Sequence, residues 1–167
     1  MPPGTLAPTT PTFTRPVPTP TPSRFHVASA AEARLAFETS SARTLNQLMG
    51  PDRTLTLSEP EPLLFASGWC AASQEILEEN YKVIETRLVV SGFEIDPSYY
   101  ATRDFNGTAD PANPTYCRSS YVLVDSWPSG MTYLEVRHKI LEPLSDGWDD
   151  YPLGVIQTPI IVYIGPE

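Results

Sequence analysis

A chain of 167 residues, 41% hydrophobic and 10% aromatic, is long enough to bury one domain-sized core and too short for two large ones. Its formal net charge of −9 is unevenly spread: residues 1–50 hold four basic and two acidic side chains, whereas residues 51–167 hold seven and eighteen, so the rear part carries about −11. A surface of that sign repels phosphate backbones and anionic headgroups, which disfavours nucleic acid and direct membrane insertion and leaves an extracellular protein, a glycan or a cation as partners.

Residues 2–22, PPGTLAPTTPTFTRPVPTPTP, hold eight prolines and seven threonines in 21 positions. Proline fixes φ and removes backbone donors, so residues 1–24 are expected to be a disordered, extended Thr/Pro stalk. No apolar run reaches the roughly 18–20 residues of a membrane span, and Met1 opens no signal peptide. Because such stalks follow a signal peptide or a lipid anchor, the chain is expected to be a truncated or mis-started form of an exported protein, extracellular or displayed on the cell surface.

Residues 25–50 form the next segment. Ser29 and Glu32 stand in capping-box spacing ahead of Leu35, Ala36 and Phe37, which predicts a short helix, and a further turn is expected over residues 42–49 until Gly50-Pro51 ends it.

From residue 51 the period changes to two. Residues 53–58 and 62–71 read as strands, the first at a sheet edge, and residues 73–80 as a helical turn or more capped by Ser73. Residues 82–90 place Ile84, Thr86, Leu88 and Val90 on one face, and Ser91-Gly92 fits a two-residue hairpin turn. Residues 103–114 read as a turn-rich loop containing the Asn106-Gly107-Thr108 glycosylation sequon. Residues 116–125 gather Cys117, Ser119, Tyr121 and Leu123 on one face; residues 131–141 gather Leu134, Val136, His138 and Ile140. Residues 155–164 alternate with Pro159 opposite the apolar face, which predicts an edge strand. About seven strands with no long helical crossover imply a mainly β domain over residues 51–167, an antiparallel two-sheet β-sandwich.

Cys70 and Cys117 fall in different strands 47 residues apart, the arrangement of a disulfide tying the two sheets or of two buried thiols. Together with the GWCA stretch at 68–71 and the closing DGWDDYPLGVIQTPIIVYI, the pair resembles bacterial extracellular immunoglobulin-like or fibronectin-type modules over residues 52–165. The resemblance implies a sandwich architecture and names no function; a non-enzymatic module for adhesion, spacing or ligand binding is the expectation.

No nucleophile elbow, phosphate loop or HExxH is present, so no catalytic residue and no cofactor is expected. The loop SDGWDDYPLG gathers Asp146, Asp149 and Asp150 around Trp148 and Tyr151; it reads as a structural turn, a Ca²⁺ site or a ligand-contact loop. If Cys70 points inward, strict alternation sends Trp69 outward beside Phe65 and Leu63. Such a stripe needs a helical cover, a bulge at Gly68, or a ligand, and as a ligand site Trp69 joins Trp148 and Tyr151 as stacking platforms for a carbohydrate. His138 reads as a core histidine satisfied by one hydrogen bond.

Overall fold

A computed structural model of the chain describes residues 25–49, 52–107 and 115–165. The stalk expected over residues 1–24, the helix stop at Gly50-Pro51 and the Thr108 end of the sequon lie outside them.

The fold is mainly β. In chain order the elements are β1 (His26–Val27), α1 (Ala30–Glu38), β2 (Arg43–Thr44), α2 (Leu45–Leu48), β3 (Thr54–Leu57), β4 (Leu63–Ala71), α3 (Gln74–Val83), β5 (Ile84–Val90), β6 (Phe93–Glu94), β7 (Ala101–Gly107), β8 (Thr115–Ser126), β9 (Gly130–Ile140), β10 (Leu144–Ser145), β11 (Asp150–Tyr151) and β12 (Gly154–Ile164). One five-stranded sheet is organised around β8, which pairs with β4 on one side and with β7 and β1 on the other, β2 lying beyond β4. The second runs β3-β12-β9-β5-β6.

Local chemistry explains the helices. The Ser29 hydroxyl accepts from the Glu32 N–H at 3.3 Å while the Ser29 N–H donates to the Glu32 carboxylate at 2.9 Å, a reciprocal cap that starts α1. Ser73 caps α3 one way only, its hydroxyl accepting from the Ile76 N–H at 3.3 Å. The helix extends to Val83 and takes Lys82 and Val83 from the expected strand, and it buries Leu77 and Asn80. Between β5 and β6, Ser91 (φ 50°) and Gly92 (φ 83°) both adopt the left-handed region, as a two-residue hairpin turn that follows strand twist requires.

Three sequence expectations need correction. The pairing is mixed, not purely antiparallel: β2 runs parallel to β4, and β3 parallel to β12. Residues 101–107 are strand, not loop, and pair with β8 through seven positions. Pro159 does not mark an edge strand, since β12 lies between β3 and β9. The Ile161 and Gly165 N–H groups donate to the β3 side, to Arg53 and Leu57, so the donor that Pro159 lacks faces a stretch where β3 has not begun.

The largest buried cluster draws Leu63 and Phe65 from β4, Val122 and Val124 from β8, and Leu88, Val90, Leu134, Val136, Ile160 and Val162 from the second sheet. A second cluster lies on the opposite face of β4 and β8, where Ala33 and Ala36 of α1 meet Leu64, Tyr121 and Leu123. A third gathers Trp69, Ala71, Leu77, Ile84 and Ile140. Among the described residues no helix is long and apolar enough to cross a membrane.

Candidate functional site

Cys70 and Cys117 form a disulfide, but it ties neighbouring strands of one sheet rather than the two sheets together: they face each other directly in the β4–β8 ladder, with Cα atoms 4.1 Å apart. The ladder runs through Gly68↔Ser119 without a bulge. Trp69 therefore shares a face with Leu63 and Phe65, as alternation demands, yet that face is the interior one, and Cys70 takes the outer face. The apolar stripe decided the register, since Leu63, Phe65 and Trp69 bury far more surface than one cysteine. Trp69 is 8% exposed, packed edge-on against Tyr151 (centroids 4.8 Å) and His138 (5.6 Å), and offers no stacking platform. Trp148, by contrast, is 54% exposed.

The 145–151 loop is a small hairpin held by its own carboxylate. Asp146 Oδ1 accepts from the Trp148 and Asp149 N–H groups, both at 2.8 Å, and Oδ2 accepts from the Tyr151 hydroxyl at 2.9 Å. Gly147 (φ 95°) is required, because a Cβ there would lie 2.5 Å from the Ala72 Cβ. Burial would raise the Asp146 carboxyl, but the hydrogen bonds from Asp149, Trp148 and Tyr151 outweigh it and hold it below the usual aspartate value. Asp149 and Asp150 are exposed, and among the described residues no three His, Cys, Asp or Glu side chains converge to hold a metal ion.

Asp146→Ala is expected to cost about 2–3 kcal/mol near neutral pH, because it removes a buried acceptor of three bonds. A group whose folded pKa is depressed stabilises above its unfolded value of about 3.9, and the benefit disappears as pH falls through the folded value. Urea melts of the two proteins should therefore differ at pH 7, and the gap should narrow as pH falls below the unfolded aspartate value of about 3.9.

A groove of about 250 Å³ opens on the outer face of the β8 sheet, bounded by α1, α2 and β7. The Arg103 guanidinium carbon lies 4.7 Å from the Phe37 ring centroid and 5.5 Å from that of Phe105, so the cation is bracketed by two aromatic faces. Phe37 leans on Tyr121 with centroids 5.3 Å apart, and Asn46 and Gln47 of α2 bring side-chain amides to the rim. Phe105 is 38% exposed. No carboxylate lies among the described lining residues, and among them Arg103 has no ion-pair partner. Sequence reasoning missed this group because residues 103–107 read as loop; the placement of Arg103 and Phe105 two apart was the available signal.

His138 lies between the sheets as its face predicts, but it makes two hydrogen bonds instead of one: Nε2 with the Ser67 hydroxyl at 3.1 Å and Nδ1 with the Thr86 hydroxyl at 3.2 Å. Burial lowers its pKa, so the ring is neutral near pH 7. On the outer face of the β9–β12 pair, which no helix among the described residues covers, Met131, Tyr133 and Tyr163 are exposed close together, with Ile161 opposite Tyr133 and Tyr163 opposite Met131. No protein-family model, curated protein or solved structure matches the chain.

Proposed function

We propose that the chain is a non-enzymatic binding module displayed outside the cell, an immunoglobulin-like β-sandwich on a Thr/Pro tether, whose ligand is a glycan held in the Arg103 groove. The observation that carries this reading is a guanidinium, without an ion-pair partner among the described residues, set between Phe37 and Phe105 beside two side-chain amides. Aromatic faces match the apolar faces of sugar rings, and planar donors match their hydroxyls. A core cluster shared by both sheets supports the sandwich, and a disulfide suits an oxidising compartment. The density of proline and threonine in residues 2–22 supports the tether.

Affinity electrophoresis against neutral and uronic-acid polysaccharides tests the reading. Retardation by at least one of them is expected, and Phe105→Ala should weaken it about tenfold, corresponding to the ~1.4 kcal/mol that an aromatic contact supplies. Absence of retardation across the panel, or retardation indifferent to Phe105 and Arg103, would overturn it. A second reading rests on Met131, Tyr133 and Tyr163, 62%, 45% and 42% exposed on an uncovered sheet face, which suits a protein partner. Under that reading Tyr133→Ala, not Phe105→Ala, would abolish capture.

A further inference from the structure

A second recess, of about 490 Å³, opens where β2 ends and leaves the flank of β4 without a strand partner. Its polar wall includes Asn46, Arg53, Ser67, His138 and Thr158, with Ala66 and Gly68 of β4 and an apolar patch of Met49, Val136 and Ile160 beside it. No carboxylate lies among these residues, in a protein whose net charge is −9. Among the described residues Arg53 has no ion-pair partner, and with His138 neutral it is the single charge of the recess. Arg53 also holds a left-handed backbone, φ 57°, which is uncommon for a residue with a Cβ. The Ile161 N–H donates to the Arg53 carbonyl at 3.1 Å and fixes the residue at the start of β3. Strain of this kind collects at sites where a side chain must be aimed.

From this arrangement we infer that the recess is a binding site for a small organic monocarboxylate with a short branched aliphatic tail. The carboxylate pairs with the Arg53 guanidinium, whose planar fork matches two oxygens. The Asn46 amide and the Thr158 hydroxyl supply further donors. The tail lies on Met49, Val136 and Ile160. A single guanidinium balances one negative charge, which selects against dianions such as phosphate. The Ser67–His138–Thr86 chain holds the imidazole in place through both nitrogens, so His138 contacts the ligand side of the recess without carrying a charge of its own.

The probe is 3-methylbutanoate, titrated into the full chain while the His138 ring nitrogens are followed by NMR. Saturable shifts with a dissociation constant of about 1 mM or tighter are expected. The neutral isostere 3-methylbutan-1-ol and inorganic phosphate should bind at least tenfold more weakly. Arg53→Gln should weaken the acid at least tenfold. Arg53→Gly, whose missing Cβ suits the left-handed backbone, should keep the fold and lose binding to the same extent. Phe105→Ala, in the outer groove, which shares Asn46 and Ala66 with the recess but not Phe105, should leave it unchanged. The inference is overturned by no saturable change at His138 up to about 20 mM, some twentyfold above the expected constant. Equal affinity for acid and alcohol, or retention of binding by both folded Arg53 variants, would overturn it too.

Discussion

Trp69→Ala is expected to lower the free energy of unfolding by about 3–5 kcal/mol, the range for emptying a buried indole from a packed core. The ring lies where four parts of the structure meet: β4 carries it, Leu77 of α3 covers it, and Tyr151 from the small hairpin and His138 from β9 pack against it edge-on. Truncation would leave a void that none of these elements can close alone, since each is fixed by its own ladder or cap. Trp69→Phe should cost much less, because the indole Nε1 is buried without a hydrogen-bond partner and its loss relieves an orphan donor. Guanidinium unfolding of the three proteins checks the ordering. A loss below about 1 kcal/mol for the alanine variant would show that the ring is not a core element.

Removing the disulfide is the second large effect. The Cys70→Ala/Cys117→Ala variant should lose about 3–4 kcal/mol, because the bond closes a loop of 47 residues and restricts the unfolded chain. Placing the bond within one ladder has a further consequence. The other pairs of β4 with β8 remain on both sides of it, so the variant should keep the native register and lose stability without losing fold. Urea midpoints in the presence and absence of a reductant give the same comparison on the unmodified chain. An unchanged midpoint on complete reduction would contradict the account.

Much of the fold was legible because its signals are local. Ser29 with Glu32, Ser73 with the turn after it, and Ser91-Gly92 each fix their own element through hydrogen bonds or φ preferences within four residues. The inward sets on β5 and β9, and on β12 from Ile160 onward, were readable from period-two patterning, whereas Ile156, of the same β12 set, is exposed. What local signals do not encode is partner and direction. Nothing in Arg43-Thr44 or in Thr54–Leu57 distinguishes a parallel neighbour from an antiparallel one, so the mixed pairing had no sequence signature. The β7 strand was missed for a related reason: only Ala101 is buried in it, and Asp104, Asn106 and Gly107 are turn-forming types, so the edge position removed the alternation. At Trp69 the pattern was right and the anchor wrong. Taking Cys70 as inward inverted a stripe whose apolar area was the stronger evidence.

The sites were less legible than the elements. Asp146 was recognisable as important, and its role in bracing the hairpin is the structural-turn reading of that loop. The Arg103 groove needed α1, α2, β7 and β8 in one place, a juxtaposition of residues up to 84 apart, Phe37 to Tyr121, that no spacing rule anticipates.

The central claim, that the Arg103 groove is where the ligand is held, is tested most directly by NMR of the arginine side-chain Nε–H groups and aromatic rings during titration with the polysaccharide that retards the protein best. The account predicts saturable shifts at Arg103, Phe37, Phe105 and Tyr121, with Tyr133 and Tyr163 unmoved. Shifts confined to Tyr133 and Tyr163 would contradict it and move the binding face to the uncovered side of the β9–β12 pair.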